Sequence, residues 1–395
     1  MKTVVVAGTG FIGQVHVEAL RRLGNVRVQG VLGSSREKSE AVAQRWGLAR
    51  AYGDLREVLD DRDVDAVHIA TPNREHLPMA RAALESGKHV MCEKPLAMSS
   101  RESGELAALA RSRPRQAAGV NYNVRFYPIA LQMRELVRSG ELGTIRAVRG
   151  AYEQDWLLLE SDWNWRLLPE EGGELRAIGD IGTHWMDLAG FATGLEVESL
   201  LADLATFVPV RRRPRTALAT FEGKLAVPPG EKNSGEKNAE NDPVEIRTED
   251  WGAVLFRYAG GARGTMNVSQ VTAGRKNRLT LEIAGSRGAL AWDSERPEEL
   301  WIGSRERPNS LLLKDPSLLS GEARAFAGLP GGHAEGFADS FRGLYAAFYG
   351  HIERGDFDAP RPYPTFEDGH REAILCEAIL ESHRARRWVD VPRGT

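Results

Sequence analysis

The chain has 395 residues, 42% of them hydrophobic and 27% charged, with a net charge of −3. That length suits two domains with ample core, and the near-neutral balance gives no global field for nucleic acid or an acidic membrane surface. Cys92 and Cys376 lack metal-like spacing, Met1-Lys2-Thr3 leads straight into a strand, and no apolar stretch is long enough to span a bilayer. A cytoplasmic protein with reduced thiols is expected, with no membrane or nucleic-acid partner.

Val4-Val5-Val6-Ala7 reads as a strand that breaks into Gly8-Thr9-Gly10-Phe11-Ile12-Gly13, after which apolar residues recur at helical spacing. A G-x-G-x-x-G pattern between strand and helix is the form that cradles a dinucleotide pyrophosphate; without that context it is an ordinary Gly-rich turn. Strand-like runs follow at 26–32, 65–70, 89–92 and 117–120, with helical stretches near 12–23, 36–46, 74–86 and 99–111. Asp54 with Glu57 and Ser99 with Glu102 have the spacing of capping boxes. This alternation predicts an α/β, doubly wound parallel sheet of Rossmann type over residues 1–122, with ligands beyond the carboxyl ends of its strands.

Those strand ends carry the candidate chemistry. The second leads to Ser34-Ser35-Arg36, where an NAD enzyme usually has an acidic residue for the ribose diol. Small hydroxyls and an arginine suit a 2′-phosphate better, so the cofactor is NADP or NAD with NADP favoured; Glu37 is assigned to the next helix. The third gives Thr71, Pro72, Asn73 and His76, the fourth Glu93-Lys94-Pro95, and the fifth Asn121 and Tyr122. Lys94 reads equally well as a proton or hydrogen-bond donor and as a solvated strand-end lysine.

Beyond residue 122 the pattern changes. A helix near 128–139, a strand over 145–154, a Trp-rich loop and a helix from 180 to 192 precede strands at 201–208, 251–258, 263–271, 278–284, 288–293 and 299–303. Gly-rich turns at 259–262 and 285–288 predict hairpins, hence an α+β domain over 123–395 with a large, mostly antiparallel sheet. Residues 222–243 read as a mobile surface insertion, 365–387 as a helix packing back toward the first domain, and Arg211–Arg215 as a solvated edge or loop. Asp180 and His184, four apart, share a helix face and can handle a proton. An N-cap aspartate and a core histidine explain them as well, and no third residue completes a metal site, so no metal is expected.

In order and distance, GTGFIG, Glu93-Lys94-Pro95 and the GDIGTH segment resemble the Gfo/Idh/MocA oxidoreductases, named for glucose–fructose oxidoreductase and inositol dehydrogenase. The segments AYEQDW, WNWR and Phe366-Glu367-Asp368-Gly369 are similar to levoglucosan dehydrogenase-type sugar dehydrogenases. The resemblance implies a nicotinamide-dependent oxidoreductase acting on a sugar or polyol CH–OH group, assembled as a homodimer or homotetramer. It implies Lys94, Asp180 and His184 as the proton-handling group, with the base shared between Lys94 and His184. Trp165 and Arg166 would join the cofactor contacts. Tyr122, Gln154, Trp156 and Trp163 would face the sugar, Asp155 and Arg166 being further hydroxyl partners; one or two of Trp156, Trp163, Trp165 and Trp185 are expected to touch it. His333, in a Gly-rich loop, reads as a pocket residue or a loop cap. Relatives of this fold also include glycosidases that oxidise transiently with bound NAD and sensors that bind a dinucleotide without turnover.

Overall fold

Six strands, β1 (Lys2–Ala7), β2 (Val26–Leu32), β3 (Arg50–Tyr52), β4 (Ala66–Ile69), β5 (His89–Cys92) and β6 (Ala118–Val120), form one wholly parallel sheet. Their order is β3-β2-β1-β4-β5-β6 in the computed structural model, which describes residues 1–214 and 242–392. Helices α1 (Phe11–Arg21), α2 (Arg36–Trp46), α3 (Leu55–Asp60), α4 (His76–Glu85) and α5 (Ser100–Arg111) connect them. Val4 and Val6 enter a core with Val17 and Leu20 of α1, while Val5 and Ala7 enter another with Leu84 and Leu106. Alternate residues of one strand thus serve opposite faces, and burial on both faces explains its unbroken apolar run. The chain reverses direction across the sheet between β1 and β4, where doubly wound folds open their ligand crevice. Both capping signals hold: Asp54 Oδ1 accepts the Glu57 amide at 2.9 Å and Ser99 Oγ the Glu102 amide at 3.2 Å.

Next come α6 (Pro128–Arg138), β7 (Ile145–Glu153) and a short α7 (Pro169–Gly172). A π-helical turn, Ile178–Gly182, leads into α8 (Thr183–Thr193), which precedes β8 (Val197–Ala205), β9 (Val210–Arg213) and β10 (Asp242–Glu245). Strands β11 (Trp251–Tyr258), β12 (Arg263–Ser269), β13 (Arg278–Gly285), β14 (Gly288–Asp293), β15 (Glu299–Ser304) and β16 (Ser310–Leu313) follow. The large sheet runs β16-β15-β14-β13-β7-β12-β11-β8, ending on a last strand, β17 (Val389–Asp390), and only its β7–β12 pair is parallel. Both expected hairpins close as antiparallel pairs. The strand expected at 201–208 begins and ends earlier, and β9 pairs with β10 as a separate ribbon. The expected insertion at 222–243 lies outside the described residues except for Asp242 and Pro243, which open β10.

Register separates the two faces of this sheet. Phe256, Gly264, Val148, Ile283, Leu290 and Ile302 pair in one row across six strands. Trp185 of α8 stacks on Phe256 and donates its indole N–H to Thr280 O at 2.9 Å, so this face is covered. The neighbouring row, Leu255, Thr265, Arg149, Glu282, Ala291 and Trp301, faces outward, with Leu255 44% and Trp301 37% exposed.

The helices α9 (Gly321–Phe326), α10 (Phe337–Arg354) and α11 (Phe366–Ala385) complete the chain. Among the described residues the chain packs as two compact units: Met1–Gln132 with Lys314–Ile374, and Met133–Leu313 with 375–392. Residues 123–132 and 314–374 therefore belong with the parallel sheet, a different division from a single cut at 122. Phe341, Leu344, Tyr345, Phe348 and Tyr349 of α10 join the core that holds α1. The helix expected at 365–387 is α11. Its first turns meet the first unit through Arg125–Asp368 at 3.0 Å and Ser103–His370 at 2.9 Å; its end meets the second through Ser382, which accepts the Ala202 amide at 3.0 Å. Among the described residues no helix is long and apolar enough to cross a membrane, and no three His, Cys, Asp or Glu groups are placed to hold a metal.

Candidate active site

The glycines of the first turn have separate tasks. Gly8 has φ +131°, and a Cβ there would lie 2.2 Å from Ala70 O; a Cβ on Gly13 would lie 2.2 Å from Gly8 O. These two permit the turn and the close seating of α1. A Cβ on Gly10 would meet no atom within 4 Å, and Gly10 is the N-cap of α1 with no side chain to fill the place. An open position at the positive end of a helix fits the pyrophosphate of a dinucleotide. Phe11 is exposed beside it, while Ile12 turns toward the core.

The segment after β2 departs from the expectation. Ser35 Oγ accepts the Lys38 amide at 3.3 Å as the N-cap of α2, and the Arg36 guanidinium pairs with Glu57 and packs over Gly53. Only Ser34 is left exposed with no such task in the helix start. The positive charge read as a 2′-phosphate partner is thus matched by a carboxylate from α3.

Thr71, Pro72 and Asn73 leave the end of β4. His76, fully buried, brings Nε2 to 3.1 Å from Thr71 O and Nδ1 to 2.7 Å from Pro95 O. It clamps the ends of β4 and β5 to each other rather than presenting a ring edge to a ligand. Lys94 is partly exposed at the end of β5, preceding a cis Lys94–Pro95 bond. Glu93 turns inward, where Asn121 donates to its Oε1 and the Lys94 amide to its Oε2 at 3.2 Å. Tyr122, expected to face substrate, is wholly buried in the core beneath β5 and β6. Buried beside Glu93, the Cys92 thiol is pushed well above its ordinary pKa by desolvation and then by the carboxylate, and stays an inert core group.

In the second unit Asp180 lies within the π-helical turn and not at a helix N-cap. Its Oδ1 lies 3.2 Å from Arg166 Nε, and its Oδ2 accepts from Gln270 Nε2 at 2.9 Å. Arg166 also stacks on Trp165, its guanidinium carbon 4.3 Å from the ring centroid. His184 is buried one turn on, its ring 6.2 Å from that of Tyr152. The turn itself is held by Glu249, whose carboxylate accepts the amides of Arg176 (2.9 Å) and Ile178 (2.8 Å). π-turns of this kind are rare and concentrate at functional sites.

Other expected contacts have partners within the protein. Gln154 accepts from Trp156 Nε1 at 2.8 Å and donates to Asn277 at 2.7 Å, so its amide is spent within the protein. Trp156 forms a small core with Leu157, Leu167 and Ile246, against which Trp163 packs, and Trp185 is wholly buried. Asp155 is held by Lys276 at 2.5 Å. His333 is an exposed loop residue 3.3 Å from Gly331 O. Within the basic run Arg211 is fully buried, bonding Leu157 O at 2.7 Å and Asp250 at 3.2 Å, while Arg176 pairs with the same carboxylate. A carboxylate and backbone carbonyls supplied from elsewhere in the unit make burial of that arginine tolerable. Sequence reading missed Gln270, Glu249 and Asp250, which act from about 40 to 90 positions away and carry no local motif.

Comparison with known proteins agrees with this architecture. Residues 2–122 match the model described as oxidoreductase family, NAD-binding Rossmann fold, and residues 130–291 match the GFO/IDH/MocA C-terminal domain. Levoglucosan dehydrogenase of Pseudarthrobacter phenanthrenivorans is 30% identical over 98% of this chain and 97% of its own. The chain belongs to the Gfo/Idh/MocA oxidoreductase family. A solved oxidoreductase domain protein from Kribbella flavida superposes on this Gfo/Idh/MocA chain with a TM-score of 0.86 and 28% identity, covering 100% of both. Levoglucosan dehydrogenase in complex with NADH and L-sorbose gives 0.86 and 27% over 99% of both chains. Within the family, this member is closely related to the levoglucosan dehydrogenase-type sugar dehydrogenases, as its Trp-rich and GDIGTH segments suggest.

Proposed function

We propose that this Gfo/Idh/MocA protein is an NAD(H)-dependent dehydrogenase or reductase acting on a CH–OH or ketone carbon of a sugar or polyol. The observation carrying this reading is the end-to-end likeness, in sequence and in shape, to levoglucosan dehydrogenase, solved with NADH and either levoglucosan or L-sorbose. NAD(H) replaces NADP as the favoured cofactor because Arg36 is neutralised by Glu57 and Ser35 is occupied as a helix cap.

When bound, the nicotinamide takes up or returns the hydride of the substrate carbon. The protein supplies proton handling and orientation. In the proposal Lys94 donates a hydrogen bond to the reacting oxygen, and His184 or Lys94 takes its proton. The Asp180 carboxylate, fixed by Arg166 and Gln270, provides the negative charge that steadies a protonated partner. Trp165 and Arg166 form the aromatic and cationic wall on the second unit.

Nicotinamide absorbance followed across a panel of sugars and polyols, with NAD and NADP in parallel, tests the reading. Turnover with NAD preferred is expected. Glycoside cleavage without net cofactor reduction would replace the dehydrogenase with a hydrolase, and tight NADH binding without any turnover would make the protein a sensor. We also propose a homodimer or homotetramer, supported by the outward row with exposed Leu255 and Trp301, and a reducing cytoplasmic setting, supported by the free thiols of Cys92 and Cys376. Light scattering reads the first and compartment fractionation the second.

A further inference from the structure

Beneath the glycine turn, α1, β4, the end of β5 and α10 meet in the core of the first unit, and the side chains that touch there are polar. His16 of α1, 0% exposed, lies between two partners. Its Nδ1 is 2.9 Å from Nδ1 of His68, and its Nε2 is 3.0 Å from Oε1 of Glu93. His68, also 0% exposed, places Nε2 2.9 Å from the hydroxyl of Tyr349 on α10. At the other end, Glu93 Oε2 accepts the amide of Lys94 at 3.2 Å, while Asn121 donates to Oε1.

Donor and acceptor chemistry gives the chain a direction. A carboxylate only accepts, so the hydrogen between His16 and Glu93 belongs to His16 Nε2. With His16 neutral, its Nδ1 accepts, His68 Nδ1 carries the next hydrogen, and His68 Nε2 accepts the phenol O–H. Every contact is then met by neutral rings, and each hydrogen points toward Glu93. Burial holds His68 well below the ordinary imidazole pKa, which keeps that ring neutral. Burial alone would lift Glu93, but His16, Lys94 and Asn121 outweigh it and bring the carboxyl down to about 2. The charge of the chain therefore rests at its Glu93 end. Tyr349, at the far end, is 1% exposed, so the chain ends inside the core of the first unit.

We propose that His16, His68 and Tyr349 are positioning residues that lock the Glu93 carboxylate and, through it, the backbone of Lys94. The helix that begins at the dinucleotide cradle is thereby tied to the lysine at the end of β5. The role given to Lys94 rests on the dehydrogenase reading; the direction of the chain does not.

Two measurements keep these apart. Nitrogen NMR of the intact protein with labelled histidine, assigned with His16→Gln and His68→Gln, reads the ring tautomers without any substrate. His16 protonated at Nε2 alone and His68 at Nδ1 alone is expected; a doubly protonated His16, or either opposite tautomer, overturns the proposal. Steady-state kinetics on the best sugar of the panel, with NADH affinity from fluorescence titration, reads the positioning. Glu93→Gln preserves shape but loses an acceptor-only group, and kcat should fall about 10- to 100-fold while the NADH dissociation constant changes less than about 3-fold. Tyr349→Phe removes one buried hydroxyl, and should move the His68 nitrogen signals and lower kcat about 3-fold or more. Folded variants with wild-type kcat overturn the positioning role. A blank sugar panel with the expected tautomers counts against the dehydrogenase reading and leaves the chain's direction supported.

Discussion

Arg166 Nε lies 3.2 Å from Oδ1 of Asp180, while Gln270 Nε2 holds the other carboxylate oxygen at 2.9 Å. One carboxylate is thus gripped on both oxygens by groups from a loop and from the residue just beyond β12. Within a π-turn, where the backbone ladder is loosened, that grip fixes where the charge points. Gln270→Met keeps the volume and removes the donor, so kcat for the preferred sugar should fall about 10-fold with little change in cofactor affinity. Initial rates over a range of sugar and NAD concentrations check this; an unchanged kcat would make Gln270 a packing residue only.

Two of the fingerprint glycines should fail differently. A methyl on Gly13 meets the Gly8 carbonyl oxygen at 2.2 Å, backbone that cannot give way without moving α1. Gly13→Ala should therefore cost about 1–3 kcal/mol or more of stability. Gly10→Ala meets no protein atom and should cost about 1 kcal/mol or less, yet its methyl stands where the pyrophosphate would approach. Urea denaturation and NADH titration separate the two: stability lost at Gly13, affinity lost at Gly10.

Arg36 and Glu57 form a pair exposed enough for its own stability contribution to be small, with side chains 49% and 41% exposed. Its consequence is for cofactor choice. Glu57→Gln removes the carboxylate that neutralises Arg36, so the ratio of kcat/KM for NADP over NAD should rise about 10-fold, near one charge-assisted contact. Parallel assays with both cofactors read the ratio; no rise would mean Arg36 lies out of reach of the 2′ position.

The parallel sheet was legible because its strands are buried on both faces and stand out as apolar runs, as at Val4–Ala7. β3 escaped because three residues at a sheet edge carry too little pattern. The helix Phe337–Arg354 escaped although its buried residues recur at helical spacing: Ser340, Gly343 and His351 stand within that stripe and weaken its apolar signal. For the candidate site, motifs singled out Lys94, Asp180 and His184, since spacing along one element is local. Burial of Arg211, the grip on Asp180 by Gln270 and the support of its turn by Glu249 depend on residues brought together only by folding. Side-chain availability was equally hidden: Gln154 and Tyr122 have the right chemistry for a sugar, but one is spent on Trp156 and Asn277 and the other is enclosed.

Asp368 supplies a pH test of how α11 begins. Its Oδ2 accepts the Thr365 amide at 2.8 Å, and its Oδ1 lies 3.0 Å from Arg125, whose side chain is 9% exposed. Burial would raise the carboxyl pKa, but Arg125, Arg371 and the Thr365 amide outweigh it and hold the group well below the usual carboxylate range. A carboxyl whose pKa is lower folded than unfolded adds stability that is complete above the unfolded value, about 3.9, and is lost as pH falls from there toward the folded value. At pH about 7, Asp368→Asn should be less stable than wild type by roughly 2 kcal/mol, the worth of a hydrogen bond to a charged partner. Below pH about 4 unfolded wild type binds the proton that the folded protein still excludes, so the gap between the two should narrow as acid is added. Urea denaturation of both proteins at neutral and acid pH gives the two gaps. A gap that stays constant, or widens in acid, would mean that the ionised carboxylate is not what stabilises the start of this helix.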